Sequence, residues 1–431
     1  MNLTAMVLIS AAVFGWGLLS ARLERVNLTA PMVFIAVGGG LAALGLISGP
    51  SAPETVEPLV EITLVWVLFT DAARLPALQL RRDLSRYVRL LAIGLPLTIA
   101  CGWALAAWLF PQLGLWLALF VGAALAPTDA ALGVPVVTNP VVPSRVRQLI
   151  TVESGLNDGI ATPVVMLAIA GAAAAAGLDN AEGAGHAVRE LLIGVAVGAG
   201  AGALGGWLMS QARRRGSAVD DFAGIAVLAL ALLAYAAALG MAGNGFVAAF
   251  CGGLAFGACA GRRGSAELIF LEQMGSMVSL LVWLTFGAIA IPIMVDRIDP
   301  LMIVYAVLSV TAVRMVPVAV ATIGAGLDRD SVLFVGWFGP RGLASLVFAL
   351  LALESLGSVA DEAVSVVAVT VLLSVLAHGL SAAPLARRYG QAAAAAGPEA
   401  GGPVQVAPAR GLTPATSRWL PAAGRKRPHS A

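Results

Sequence analysis

Charged residues are scarce in this sequence. They make up 12% of the 431 residues, while hydrophobic residues make up 59% and the mean hydropathy is +0.91. Soluble domains carry about 25% charged residues, so this composition excludes an ordinary soluble domain. Helices satisfy their own backbone groups in lipid, and we predict an all-α polytopic membrane protein. The net charge of +2 is too small to indicate a nucleic-acid partner.

Cysteine and nucleotide-binding signatures are also lacking. The three cysteines, Cys101, Cys251 and Cys259, lie in apolar segments, and their spacing fits neither a disulfide framework nor a thiolate metal site. No glycine-rich loop ending in Lys-Ser or Lys-Thr occurs, which excludes a P-loop nucleotide site. We therefore expect no cofactor, no enzymatic activity and no use of ATP.

Long apolar segments dominate what is present. With a window of about 20 residues, about 13 transmembrane helices are predicted. Their approximate limits are 3–20, 31–48, 57–73, 88–110, 115–137, 148–171, 188–209, 220–240, 243–260, 273–294, 300–323, 331–353 and 362–385.

Arginines indicate how these segments are oriented. Cytoplasmic loops are rich in Arg and Lys, and every second loop here is basic. The basic loops contain Arg22, Arg25, Arg74, Arg81, Arg82, Arg86, Arg145, Arg147, Arg213, Arg214, Arg215, Arg262, Arg263 and Arg329. We therefore expect a multi-pass protein of a prokaryotic plasma (inner) membrane, in contact with lipid. Its N-terminus is predicted to lie outside and its C-terminus in the cytoplasm.

The end of the chain differs from the rest. Beyond about Gln391 the sequence becomes rich in Ala, Gly and Pro. Such a segment cannot bury enough apolar surface to fold alone. We predict a transmembrane domain over residues 1–388 and a disordered cytoplasmic tail over residues 389–431.

The spans repeat along the chain. Adding about 212 residues to the starts of spans one to six gives the approximate starts of spans eight to thirteen. An offset of seven spans is odd, so the second half is predicted to be inverted relative to the first. Span five is interrupted at residues 126–129 and span twelve at residues 339–342, each by a proline with a charged residue. Paired broken helices of this kind form ion sites in secondary transporters.

Three carboxylates interrupt the apolar sequence of spans five and six: Asp129, Glu153 and Asp158. Each costs about 2.5 to 3.5 kcal/mol near the bilayer centre, which calls for a partner or a function. Thr128 and Ser154 add hydroxyls, and hard oxygen ligands suit alkali cations. We interpret Thr128, Asp129, Ser154 and Asp158 as a Na⁺ and proton site. The alternative is a buried polar network that only holds helices together.

Formal charge supports an ion site. Arg314 and Arg341 are the basic residues deep in the second half, against three deep carboxylates in the first. The remaining negative charge can be neutralised by one monovalent cation or one proton. Burial favours a protonated carboxyl group, while a nearby cation favours the ionised form.

Four strings carry a family resemblance: TDA from Thr128, ESGLND from Glu153, VRMVP from Val313 and GWFGPRGL from Gly336. They resemble the NhaP-like monovalent cation:proton antiporters of the sodium/proton exchanger type. The resemblance implies NhaA-like inverted repeats with two broken, crossing helices, and electroneutral exchange of Na⁺, Li⁺ or K⁺ for protons by alternating access. It also implies a core of spans 88–171 and 300–385 that moves against a dimerisation domain in a homodimer.

The resemblance assigns the cation site. Asp158 is expected to be the principal cation and proton carrier, and Asp129, Thr128 and Ser154 are expected to complete the coordination with water and backbone carbonyls.

The resemblance also assigns supporting residues. Glu153 and Arg314 are expected to form a structural ion pair that Asn157 braces. An asparagine at position 157 implies one cation for one proton. Arg341 is expected to balance carbonyl ends at the second helix break.

Two other function classes fit the sequence less well. A passive cation channel needs a continuous pore, and a non-transporting membrane scaffold or sensor is supported only by the tail.

Two minor features have structural interpretations. We interpret the stripe of Gly194, Gly198, Gly202 and Gly206 as helix packing. His378 is interpreted as a helix-end residue, with pH sensing as the alternative.

Overall fold

Helices form all the regular structure that is described in the chain. The computed structural model describes residues 3–46, 57–74, 77–129, 132, 134–178, 184–261 and 265–395. Within these ranges, seven helical runs are long and apolar enough to cross a membrane, and four shorter apolar helices accompany them. The prediction of an all-helical polytopic membrane protein is therefore confirmed at this level.

The first half of the chain contains eight α-helices within the described ranges. They are α1 (Leu3–Arg25), α2 (Ala30–Ala43), α3 (Glu57–Ala73), α4 (Ala77–Arg89), α5 (Leu95–Leu109), α6 (Gly114–Ala124), α7 (Val134–Val137) and α8 (Ser144–Ala175). A π-helical turn, Leu90–Gly94, joins α4 to α5 just before Pro96, whose missing N–H disturbs the regular helical ladder.

The second half contains nine α-helices within the described ranges. They are α9 (Ala184–Arg214), α10 (Asp220–Gly240), α11 (Gly245–Cys259), α12 (Ser265–Arg297), α13 (Pro300–Val310), α14 (Ala312–Ala321), α15 (Arg329–Trp337), α16 (Leu343–Leu356) and α17 (Asp361–Ala395). Asn244, Asp299 and Asp328 begin α11, α13 and α15 by accepting backbone N–H groups of the first turn.

Several helix pairs pack extensively. Helix α9 packs on α11, α11 on α3, and α12 on α2. Helix α5 packs on α6, α6 on α8, and α13 on α17. Helices α6, α8 and α13 lie next to the polar residues described below.

The last helix is longer than the sequence suggested. Helix α17 continues to Ala395, so the first residues of the segment predicted to be disordered from 389 onwards are helical. Alanine-rich sequence favours the helix, and Gly390 allows it to approach Val141 closely. The rest of the predicted tail, residues 396–431, lies outside the described residues.

The glycine stripe of α9 faces α11. Methyl groups added at Gly194, Gly198 and Gly202 would meet the backbone oxygens of Asn244, Ala248 and Gly252. The stripe thus lets two helix backbones approach closely, which is how small residues drive association in lipid.

We expect Gly202→Ala to destabilise the protein, because the new methyl group overlaps the Gly252 carbonyl. Overpacking of this kind costs about 1–3 kcal/mol. Gly200→Ala is the matched control, since nothing lies within 4 Å of its added methyl group. Thermal unfolding in detergent is the measurement, and equal melting temperatures for the two variants would contradict the packing role.

Candidate cation site

The first helix break lies between α6 and α7. Helix α6 ends at Ala124, and residues 126–129 leave the helical ladder around Pro127, which has no N–H to donate. Thr128 is buried, with 2% of its surface exposed, and Asp129 is half-buried. The break therefore presents a hydroxyl and a carboxylate inside the protein, at the residues that the sequence predicted.

The second break lies between α15 and α16 and contacts the first directly. The Asp129 N–H donates to the Pro340 carbonyl at 2.8 Å. The Leu343 N–H donates to Asp129 Oδ2 at 3.3 Å. Asp129 thus contacts the backbone of the second break through both its N–H group and its carboxylate. It lies at the positive N-terminal end of α16, where orphan N–H groups attract a carboxylate.

Two glycines of the second break provide room for the first. A methyl group on Gly342 would overlap the Asp129 side chain. A methyl group on Gly339 would press against the Arg314 guanidinium and the Thr128 methyl group. Their missing side chains allow the charged groups to lie against the backbone of the break.

Helix α8 brings its polar face to Thr128. The hydroxyl oxygens of Thr128 and Ser154 lie 3.0 Å apart, and Asn157 Nδ2 donates to Thr128 Oγ1 at 2.7 Å. Ser154 and Asp158 are one turn apart on α8, and both are buried, with 5% and 8% exposed. The structure thus places Thr128, Ser154, Asn157 and Asp158 in one region.

Asn157 has a different partner from the one we expected. It was predicted to brace the pair of Glu153 and Arg314, but its amide donates to Thr128. The reason is its position on α8: Asn157 lies on the side that faces the first break, so it orients a residue of the candidate cation site.

Glu153 and Arg314 lie in contact. Arg314 Nη1 donates to Glu153 Oε1 at 2.6 Å and Nη2 donates to Oε2 at 2.8 Å. Glu153 is 4% exposed and Arg314 is 1% exposed. The geometry is the two-pronged arrangement that a planar guanidinium makes with a carboxylate. Removing either partner would leave a buried charge without compensation.

Arg341 neutralises carbonyl groups at a different place from the one we predicted. Its guanidinium donates to the Ala126 carbonyl at 2.9 Å and to the Ser309 carbonyl at 3.0 Å. Ala126 belongs to the first break, although the expected target was the second. The long side chain carries its charge away from its own backbone to the C-terminal ends of α6 and α13, where helix dipoles are negative.

A third interruption was missed by the sequence analysis. The span predicted over 300–323 divides at Thr311, where φ is −108° and ψ is −93°, into α13 and α14. Pro317, the proline of this span, leaves the Val313 carbonyl without its usual donor, but Val313 lies inside α14 and does not mark the opening at Thr311. The interruption frees the Ser309 carbonyl for Arg341 and sets Arg314 in the first turn of α14.

Helix α3 carries two acidic residues, and one of them lies beside α8. Gly155 of α8 lies beside Asp71, since a methyl group added to Gly155 would be 3.8 Å from the Asp71 carbonyl oxygen. Glu61 accepts a hydrogen bond from the Tyr235 hydroxyl at 2.8 Å. Within the described ranges, no three His, Cys, Asp or Glu side chains form a metal-binding group. A cation here would depend on hydroxyl and carbonyl oxygens as well as carboxylates.

The arrangement has the chemistry of a small-cation site. Thr128 Oγ1 receives one N–H, so its own proton can be donated to Ser154, and both oxygens keep lone pairs for another ligand. Asp129 and Asp158 carry two formal negative charges, whereas Arg341 carries one positive charge. The remaining negative charge matches one monovalent cation or one proton.

Similar proteins were identified by sequence. The profile of the family described as "Sodium/hydrogen exchanger, transmembrane" matches residues 8–388. The K⁺/H⁺ antiporter NhaP2 of Shewanella baltica is 26% identical over 387 residues, which cover 86% of this chain and 64% of that protein. The K⁺/H⁺ antiporter NhaP of Alkalimonas amylolytica is 27% identical over 377 residues, which cover 84% of this chain and 63% of that protein. The chain thus spans less than two thirds of the length of these relatives.

A solved structure has the same fold. The sodium proton antiporter MjNhaP1 of Methanocaldococcus jannaschii, solved at pH 8, superimposes with a TM-score of 0.71 and 20% sequence identity. The match covers 90% of this chain and 98% of that one. With a family profile that covers most of the sequence and a fold that matches a solved antiporter, this chain belongs to the sodium/hydrogen exchanger family.

Proposed function

We propose that the protein exchanges a monovalent cation for a proton across a membrane. One observation carries the proposal: Asp158 is buried one helical turn from Ser154, whose hydroxyl meets that of Thr128 at a helix break. A buried carboxylate beside two hydroxyls can hold either a cation or a proton. It binds only one at a time, because each neutralises the same charge.

The exchange follows from this competition. When Asp158 is ionised, its oxygens and those of Thr128, Ser154 and Asp129 coordinate a cation. When Asp158 is protonated, the negative charge that holds the cation is lost and the cation leaves. Exchange results if the site opens alternately to the two sides and changes sides only when it is occupied.

Four residues support the cation site in this mechanism without binding the cation: Glu153, Arg314, Asn157 and Arg341. The two-pronged contact occupies both Glu153 oxygens with Arg314, so this carboxylate serves as a structural support and the cation is left to Asp158. Asn157 orients Thr128, and Arg341 stabilises the carbonyl ends of the first break. A neutral asparagine at position 157 leaves one exchangeable charge at Asp158, which favours electroneutral exchange.

The transported ion is a hard monovalent cation. The hydroxyl, carboxylate and carbonyl oxygens of the site suit Na⁺, Li⁺ and K⁺. Two relatives are named as K⁺/H⁺ antiporters and the structural neighbour as a sodium proton antiporter. We propose Na⁺ as the first substrate to test, with K⁺ and Li⁺ beside it.

We also propose an architecture that suits alternating access. The helices form 13 membrane spans in two inverted halves, and the two broken helices cross where Asp129 meets Pro340 and Leu343. Residues 88–171 and 300–385 form a core that moves against a dimerisation domain made of the remaining spans of residues 1–388. The protein is a homodimer in a prokaryotic plasma membrane, with its N-terminus outside and its C-terminal segment in the cytoplasm.

The function is tested in proteoliposomes that carry an imposed pH gradient. Na⁺, Li⁺ and K⁺ are added in turn, and internal pH is followed with the membrane potential clamped at zero by K⁺ and valinomycin in the Na⁺ and Li⁺ experiments. We expect a cation to collapse the gradient without a protonophore. Cation flux without proton movement would indicate a channel, and no flux of either ion would indicate a scaffold or sensor.

A glycine variant tests the contact between the two breaks. Gly342→Ala is expected to raise the cation KM, because its methyl group displaces the Asp129 carboxylate from the start of α16. Gly155→Ala is the control on α8, where the added methyl group makes only ordinary van der Waals contacts with Asp71. Concentration dependence of exchange is the measurement, and equal KM values for both variants and wild type would contradict a role for Asp129 in binding.

A further inference from the structure

One turn of α17 holds both ends of the second helix break. Ser374 and His378 are four residues apart and buried, with 0% and 1% of their surface exposed. Ser374 Oγ accepts the Arg341 backbone N–H at 2.7 Å. His378 Nε2 lies 2.8 Å from the carbonyl oxygen of Trp337, the last residue of α15. These contacts satisfy backbone groups that the broken helix leaves without helical partners.

The imidazole joins these two contacts. His378 Nδ1 lies 3.1 Å from Ser374 Oγ and 2.8 Å from the Ser374 carbonyl oxygen. The ring also lies against Trp337, with centroids 5.1 Å apart and planes inclined by 33°. Both nitrogens are therefore within hydrogen-bond distance of fixed oxygens, so the ring is fixed by its polar atoms as well as by packing.

We propose that His378 is a positioning residue for the cation site. It holds the Trp337 carbonyl and the Ser374 hydroxyl in register, and Ser374 in turn holds the backbone of Arg341. The Arg341 guanidinium reaches the Ala126 carbonyl, two residues before Thr128. A chain of contacts thus runs from α17 through the second break to the first. The proposal rests on the proposed function only for its effect on transport.

The test uses three variants of the full-length protein. His378→Phe keeps an aromatic ring beside Trp337 but removes both nitrogens. His378→Gln restores one donor and one acceptor on a side chain of similar reach. Ser381→Ala is the matched control: it removes the hydrogen bond from Trp337 Nε1, at 3.0 Å, on the same helix and the same tryptophan, without touching Ser374 or Arg341.

We expect His378→Phe to raise the cation KM about tenfold, which is about the effect of losing one or two buried hydrogen bonds that position the second break. Maximal rate and melting temperature are expected to change little by comparison. His378→Gln is expected to restore KM, and Ser381→Ala to leave it unchanged. The increase in melting temperature with NaCl or KCl, relative to choline chloride, is a measure of cation binding that does not depend on transport. It is expected to be smaller in His378→Phe, restored in His378→Gln and unchanged in Ser381→Ala.

Two results would overturn the proposal. One is an unchanged KM and unchanged cation stabilisation in His378→Phe. The other is a glutamine variant that recovers neither, or that shifts the pH profile of exchange, because the ring would then act by titrating and not by positioning. Failure of the proposed function is distinct from both, since wild-type protein would then show neither exchange nor cation-dependent stabilisation.

Discussion

Asp158→Asn is expected to reduce cation-dependent proton movement to the level of protein-free vesicles. Asparagine has nearly the shape of aspartate, so Thr128, Ser154 and the helix breaks keep their places. The amide neither ionises nor takes up a proton in this pH range, and the site loses the charge for which cation and proton compete. The measurement is internal pH in proteoliposomes with an imposed gradient.

The control for this variant is Asp299→Asn. Asp299 caps α13, where asparagine serves equally well, and it lies outside the candidate site. It is expected to keep wild-type exchange. Substantial exchange by Asp158→Asn would show that another group carries the proton and would contradict the mechanism.

Glu153→Ala is expected to have the largest effect on stability. The substitution leaves the buried Arg314 guanidinium without its carboxylate, and breaking a buried ion pair costs about 3–5 kcal/mol. We expect a large loss of folded, monodisperse protein in detergent and a lower melting temperature in what remains. Size-exclusion chromatography and thermal unfolding give both quantities.

Glu190→Ala is the matched control for Glu153. Glu190 contacts His186 at 3.3 Å, but its side chain is 39% exposed, and exposed pairs contribute at most about 1 kcal/mol. Its folded yield is expected to equal that of wild type. Equal yields for Glu153→Ala and Glu190→Ala would contradict a structural role for the contact between Glu153 and Arg314.

The sequence was sufficient to locate the two main helix breaks. A proline beside a charged residue, within an apolar span, is costly unless backbone and charge both find partners, so Pro127 with Asp129 and Pro340 with Arg341 were visible signals. The all-helical class was also predictable, because hydropathy depends on local sequence and long apolar segments form helices in lipid.

The partners of the site residues were not predictable in this way. Asp129 caps a helix 214 residues further on, and Arg341 reaches a carbonyl 215 residues earlier. Both contacts depend on how two distant breaks meet, and local sequence carries no direct record of that geometry. Asn157 was assigned to the wrong neighbour because a helical stripe predicts which residues share a face but not what that face meets.

The interruption at Thr311 shows a second limit. Pro317 lies inside α14, and the helix opens six residues earlier, at Thr311. A proline in a membrane helix is tolerated when neighbouring groups satisfy the freed backbone, so the residue alone does not indicate where the helix opens. Here Arg341 accounts for the position, because its guanidinium binds the Ser309 carbonyl.

The central claim is that a cation and a proton compete for Asp158. The most direct test is the cation KM of wild-type protein in proteoliposomes, measured at a series of pH values with equal pH on both sides and a tracer cation. Competition predicts that KM rises about tenfold for each unit by which the pH falls, once the site begins to protonate, while the rate at saturating cation changes far less. A KM that stays constant over the whole series, with proton exchange intact, would place the proton and the cation on different groups and would contradict the mechanism.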